Sequence, residues 1–262
     1  MKRRSFVKTS LITGAAAMAG PVAGNAMFTD TSAEFYELRT YTLKNSVQQG
    51  IVEDFYSKAA IPAYNRLKVQ HVGVFTELKP AGQTRLFVLI AYHSLLHFNE
   101  VLTKLENDRV YQQKGEAYLH APATEPAYER IESSIMKAFA HSPKMIAPDH
   151  KTRIFELRQY QSASEAAGKK KIEMFNDQGE IDIFKRLGFK PVFWGETVIG
   201  PLRPNLTYML TFDDMAAKDA HWKSFVNDPE WKKISTVPGY ADALLVSKIT
   251  STLLVPAAFS QI

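Results

Sequence analysis

Two short segments of the sequence carry the same ionisable residues at the same spacing. Glu37, Arg39 and Tyr41 recur 119 residues later as Glu156, Arg158 and Tyr160. Residues two apart on a strand point to the same face. The functional interpretation is a ligand site inside a barrel, where the arginine would hold a ligand carboxylate and the tyrosine would donate a hydrogen bond. The structural interpretation, which we favour because buried charge must be paired, is that each glutamate and arginine satisfy each other and nearby backbone groups at a sheet edge.

A second candidate site lies further along the chain. Trp194 and Glu196 are two apart on one predicted strand, and Trp222 and Trp231 lie near a predicted helix. These residues could line an apolar pocket that takes a small apolar ligand. Aromatic side chains at such positions more often belong to the core, which is the alternative interpretation.

The remaining chemistry-bearing residues show no catalytic motif. The seven histidines lack the two-His helical spacing with an intervening glutamate, so we predict no metal site. No glycine-rich nucleotide loop and no Gly-x-Ser-x-Gly elbow occurs. No residue is therefore predicted as catalytic and no cofactor is predicted, although a single histidine leaves haem open as an alternative.

The first 26 residues are typical of a targeting peptide. Lys2, Arg3, Arg4 and Lys8 precede an apolar stretch that ends at a small-residue site. The segment 2–8 is similar to a twin-arginine export signal, with Arg3 and Arg4 as the pair. We expect export to the periplasm or another extracytoplasmic space. An ordinary secretory signal that carries two arginines is the alternative.

The charge of the mature chain removes one class of partner. The whole chain has a net charge of +5, but cutting off four basic residues leaves 28 basic against 27 acidic residues, or +1. A basic footprint for nucleic acid is therefore not expected. The mature chain has no apolar run of the roughly 20 residues that a membrane-spanning helix needs. Cysteine is absent, so packing alone must hold the fold.

The chain contains an internal duplication. Residues 35–41 match 154–160 at an offset of 119, and residues 86–92 match 206–212 at an offset of 120. An offset that changes by only one residue over about 75 positions indicates two copies of one module. We predict one domain at 33–140 and a second at 152–255.

Each copy shows the order strand, helix, strand, strand, helix, strand. This βαββαβ order predicts an α+β ferredoxin-like module, with helices on one face of an antiparallel sheet. The bare faces of the two sheets would pair and close an intramolecular dimeric α+β barrel. The last strands are predicted at 131–135 and 245–249, and Lys169 to Lys171 are predicted on a solvated helix face.

The residues resemble the NIPSNAP family. The Glu-Leu-Arg-x-Tyr strand of both copies carries the resemblance, as does the second copy's motif from Trp222 through Asp228-Pro229-Glu230-Trp231. The first copy departs from it, with Leu102 at the position of Trp222. The resemblance implies the dimeric α+β barrel superfamily, which includes cofactor-free monooxygenases and haem-binding chlorite dismutases.

The sequence favours a binding function over catalysis. The expected partner is a small apolar or carboxylate ligand, or a protein, and a homo-oligomer is possible. The alternative is an enzyme of the same superfamily, either a cofactor-free oxygenase or a haem-dependent enzyme.

Overall fold

A computed structural model describes residues 32–80, 82–149 and 151–262. Ser32–Ile262 form one compact unit. The predicted export signal, with Arg3 and Arg4, lies outside the described residues. In the part of the chain that is described, no helix has both the length and the apolar character needed to cross a membrane.

The two halves have matching element orders. The first half contains β1 Phe35–Leu43, α1 Ser46–Phe55, a π-helical turn Tyr56–Ala60, α2 Ile61–Arg66, β2 Val72–Glu77, β3 Thr84–Tyr92, α3 Leu95–Glu106, α4 Arg109–Lys114, α5 Glu116–Leu119 and β4 Arg130–Ala138. The second half contains β5 Ile154–Gln161, α6 Glu165–Asn176, α7 Glu180–Arg186, β6 Lys190–Ile199, β7 Asn205–Phe212, α8 Met215–Asn227, α9 Pro229–Ser235, α10 Asp242–Leu245 and β8 Lys248–Pro256.

The eight strands close into one antiparallel barrel. Their order is β1-β3-β2-β8-β5-β7-β6-β4. The halves meet where β2 pairs with β8, as at Phe75 and Pro256, and where β4 pairs with β6, as at Met136 and Thr197. The predicted closure of two sheets from one chain is therefore confirmed. Closure leaves neither sheet with an unpaired edge.

Alternating side chains on each strand serve two different layers. Tyr36 and Leu38 of β1 face the barrel interior, while Tyr41 and Leu43 pack against the helices of the first half. The interior is filled by apolar side chains from both halves, including Phe75, Met136, Phe155, Leu157, Phe193, Met209 and Leu254. Separate cores lie between the sheet and the helices of each half.

One local prediction differs from the structure. The strand predicted at 245–249 is wrong at its start. Residues 242–245 are helical, and β8 begins at Lys248. Strand pairing aligns Ser133 with Ser251, because each lies opposite the arginine of its half.

Candidate functional site

In the first half, Glu37 and Arg39 form a bidentate ion pair. Arg39 Nε donates to Glu37 Oε1 at 2.7 Å, and Arg39 Nη2 donates to Oε2 at 2.9 Å. Ser133 Oγ and Tyr92 Oη also donate to the Glu37 carboxylate, at 2.7 and 3.2 Å. Burial alone would raise the pKa of Glu37, but the Arg39 charge and these hydrogen bonds hold it below its ordinary value. The carboxylate thus stays ionised although the residue is only 4% exposed.

Tyrosines continue this network towards the helices. Arg39 Nη1 donates to Tyr56 Oη at 3.2 Å, and Tyr41 Oη lies 2.9 Å from Tyr56 Oη and 2.7 Å from Tyr118 Oη. Burial raises the pKa of Tyr41 and Tyr56 well above the ordinary value for tyrosine. These hydroxyls are therefore neutral hydrogen-bonding groups at neutral pH.

The second half repeats the pair with different neighbours. Arg158 Nη1 donates to Glu156 Oε1 at 2.9 Å, and Ser251 Oγ donates to the same oxygen at 2.7 Å. Trp222 Nε1 donates to Glu156 Oε2 at 2.7 Å, and the Arg158 guanidinium lies 4.4 Å from a Trp222 ring centroid. Arg158 Nη2 also donates to Tyr160 Oη at 2.9 Å. Trp222 thus takes the place that Tyr92 holds in the first half.

Both clusters lie between the barrel wall and the helices. The expectation of a site inside the barrel was wrong on this point, because Tyr36 and Leu38 occupy the interior face and Glu37 and Arg39 the opposite one. The alternative position at a sheet edge is also wrong, since β1 is paired on both sides. The pairs do satisfy each other, and their carboxylates accept further protein donors. Such networks stabilise the sheet–helix interface and leave no obvious group for a ligand.

A third buried ion pair, Lys171 with Glu180, lies in the second half. Lys171 is 1% exposed, and its Nζ lies 3.5 Å from Glu180 Oε2 and 3.1 Å from Asp242 Oδ1. The prediction of a solvated face at Lys171 was therefore wrong. The repeat offsets of 119 and 120 place Lys171 at the position of Val52 and Glu180 at that of Ala60, and both of those are buried. The alignment of the copies could have revealed the burial.

Stability should depend on the protonation of Glu180. Burial raises the pKa of this carboxyl to about 7. Because the folded state then holds the proton more tightly than the unfolded state, the free energy of unfolding should fall as pH rises from about 5 to 7, by up to about 3 kcal/mol. Urea unfolding at pH 5, 6, 7 and 8 measures this. Glu180→Gln should flatten the profile, and an unchanged slope in that variant would contradict the assignment.

Trp194 and Glu196 lie in different environments, the first in the core and the second beside a cavity. Trp194 is fully buried, and its ring is stacked on Tyr208 with centroids 4.4 Å apart. Glu196 lies further along β6 beside a cavity of about 110 Å³ that Arg203 and Asn205 also line. The tryptophan is part of the second-half core, so the structure does not bring these two predicted residues into one pocket.

Two cavities lie at the ends of the barrel, and a larger one, of about 450 Å³, lies at the surface beside α1 and α5. Of the two at the barrel ends, the one of about 330 Å³ is hereafter the end cavity. Its lining comprises Pro148, Asp149, Lys151 to Arg153, Phe155 and residues within 255–262. A second, of about 250 Å³, lies at the opposite end, and its lining from both halves is more polar, including Thr40, Arg85, Gln159, Gln161 and Thr250. Neither cavity was predicted from the sequence. Alternation could have placed Arg153 on the interior side, two residues before Phe155.

Two of the described histidines are hydrogen-bonded to backbone carbonyl groups. His97 Nε2 lies 2.9 Å from the Leu67 carbonyl oxygen and His221 Nδ1 lies 2.7 Å from that of Ala217. Within residues 32–80, 82–149 and 151–262, no group of three or more side chains that could hold a metal ion occurs. The described lining of the end cavity contains no histidine.

Solved structures share this architecture at low identity. A proposed monooxygenase from Fusobacterium nucleatum is 12% identical, with a TM-score of 0.59 over 86% of this chain and 93% of that chain. An anthrone oxidase-like protein is 10% identical, with a TM-score of 0.54 over 87% and 93%. A NIPSNAP family protein from Agrobacterium tumefaciens is 19% identical, with a TM-score of 0.37 over 42% and 98%. At these identities, the first two show the fold alone.

Family comparison gives the more specific result. The NIPSNAP family model matches twice, at residues 36–143 and 155–261. No curated protein matches the chain. The two matches coincide with the two halves of the barrel and together cover most of the chain. The chain belongs to the NIPSNAP family.

Proposed function

We propose that this chain is an exported protein that binds a small organic molecule in the end cavity. The observation that carries the proposal is the contrast between the two kinds of candidate site. In the Glu–Arg–Tyr clusters, other side chains of the same chain already hydrogen-bond to the charged groups. The end cavity, in contrast, offers about 330 Å³ of space at the end of a filled barrel. That volume lies at the lower end of the range for small-molecule sites.

The lining of the end cavity suits a ligand with an apolar body. Phe155, Val255, Pro256, Ala257 and Ile262 contribute apolar surface. Phe155 and Ile262 also belong to the barrel interior core. A bound molecule would therefore extend that core outward, and the apolar contact would supply most of the affinity.

Native mass spectrometry and an absorption spectrum of the mature protein test this proposal. We expect a co-purified or added small molecule to shift the mass, and Ala258→Trp to abolish the shift by filling the cavity at an exposed position. Gly50→Trp, at a surface cavity lined by Val47 and Tyr118, is the control and should keep the ligand. A clean apo mass with a broad panel of small molecules would contradict the proposal. A Soret band would instead favour the haem-dependent alternative.

Export is part of the proposal and has its own test. The support is the sequence of residues 2–8, with its paired Arg3 and Arg4. We expect Arg3→Lys/Arg4→Lys to leave a full-length precursor in the cytoplasm, and the unchanged chain to do the same in a host without the twin-arginine translocase. Normal export in either case would favour the general secretory alternative.

Two other functions remain as proposals beside binding. A protein partner or a homo-oligomer is tested by the same native mass measurement, since each gives a larger assembly. An oxygenase would need a cavity that admits its substrate, and the end cavity is the candidate. Oxygen uptake with phenolic substrates that stops in Ala258→Trp would support it. We also propose that each half is a ferredoxin-like module, on its βαββαβ order.

A further inference from the structure

Arg153 lies at the inner wall of the end cavity with one edge of its guanidinium unpaired. The residue is 4% exposed. Its Nη1 donates to Thr211 Oγ1 at 3.4 Å, while Nε and Nη2 have no hydrogen-bond partner among the described residues. Nε–H and Nη2–H point from the same edge of the planar group, which is the edge that binds both oxygens of a carboxylate.

A buried guanidinium with two unused donors is costly unless something accepts them. The acidic side chain in the described lining of the cavity is Asp149, which is exposed. Nearby Asp213 is already paired, with its Oδ1 2.7 Å from Lys151 Nζ. The local side chains thus leave an unmet requirement for an acceptor.

At the equivalent position of the first half, a buried charged residue does have a hydrogen-bond partner from the chain itself. The offset of 119 places Arg153 at the position of Glu34. Glu34 is also buried, at 8% exposure, but its Oε2 accepts the Met145 backbone N–H at 2.8 Å. Glu34 is therefore hydrogen-bonded to the chain in the first half, whereas Arg153 lines a cavity in the second.

The other charges beside the end cavity balance one another. Lys151 lines the cavity but is paired with Asp213, and Asp149 also lines it. The pKa of Asp213 is lowered, first by its hydrogen bond with Lys151 and less by the charges of nearby basic groups that include Arg153. The attraction for a ligand carboxylate therefore comes from the free guanidinium edge of Arg153.

Resting on the proposed binding function, we propose that the ligand of the end cavity is a small monocarboxylate. Its carboxylate binds side-on to Nε and Nη2 of Arg153. Its apolar tail, aromatic or aliphatic, packs on Phe155, Val255 and Ile262. The cavity volume restricts the tail to a single ring or a short chain.

Calorimetric titration of the mature protein with matched ligand pairs tests the inference. The probes are benzoate, phenylacetate and hexanoate, each compared with its neutral amide at pH 7. We expect at least one carboxylate to bind about 10-fold or more tightly than its amide, because the amide offers one acceptor oxygen and no charge. Arg153→Met should remove that preference. Arg153→Lys should recover part of it, since an ammonium lacks the planar edge.

Two further variants separate folding effects from ligand effects. Arg203→Met removes the same charge from an exposed ion pair with Glu165 and should leave binding unchanged. Ala258→Trp should abolish binding of acids and amides alike while Arg153 stays in place. If the wild-type protein binds each amide as tightly as its acid, and Ala258→Trp blocks both, the carboxylate inference is overturned and the proposed binding function stands. If neither acids nor amides bind, both are overturned.

Discussion

Arg39→Met is expected to lower the free energy of unfolding by about 3–5 kcal/mol, one of the largest effects of a single substitution in this chain. The change removes the two-pronged partner of Glu37 at 2.7 and 2.9 Å and leaves a buried carboxylate with Ser133 and Tyr92 alone. An unpaired buried charge costs several kcal/mol because it is separated from both water and its counterion. Urea unfolding at pH 7, followed by circular dichroism, measures the loss.

Two further variants test whether the unpaired charge of Glu37 causes this loss of stability. Glu37→Gln/Arg39→Met removes both charges, so it should recover at least half of the lost stability. Arg203→Met breaks an exposed ion pair and should cost less than about 1 kcal/mol. A loss for Arg39→Met no greater than that of Arg203→Met would show that the buried pair contributes no more than a surface pair.

Phe184→Ala is expected to cost about 3–5 kcal/mol, through the core of the second half. The Phe184 ring is 1% exposed and lies at the centre of an aromatic cluster. Its centroid is 4.4 Å from that of Phe225, 4.7 Å from Phe189, 5.1 Å from Trp194 and 5.7 Å from Trp222. Removing it opens a cavity that these rings cannot fill without leaving their edge-to-face contacts.

Urea unfolding and tryptophan emission together test this effect. The tryptophans in contact with the Phe184 ring should report a changed environment in the folded state. Phe98→Ala is the matched control, because Phe98 is partly buried at the edge of the first-half core and should cost about 1–2 kcal/mol less. Equal losses in the two variants would show that the cluster is no more tightly packed than a half-exposed position.

The two halves share a backbone plan but differ in their sheet–helix layers. The first half uses tyrosine hydroxyls around Arg39, while the second uses Trp222 and adds the buried Lys171–Glu180 pair. The Glu–Arg pair is kept in both, which fits a structural role at the barrel wall.

The amino-acid sequence alone determined the duplication, the family and most of the strand order. The 119-residue offset and the period-two alternation are properties of the linear sequence, so they can be recognised without knowing which segments meet in the fold. The spacing of Glu37 and Arg39 also established that they share a face. It did not tell which face that would be, because Leu38 and Tyr41 show that both sides of β1 are buried.

Tertiary structure decided where the charged groups lie and what they meet. Barrel closure put Glu37 and Arg39 outside the interior, and the packing of α6 and α7 buried Lys171 despite its position in a lysine run. The end cavity forms where the linker before β5 meets the segment after β8, about 100 residues later in the chain. A contact between such distant segments has no signature in local composition, so the free edge of Arg153 became visible only in the folded chain.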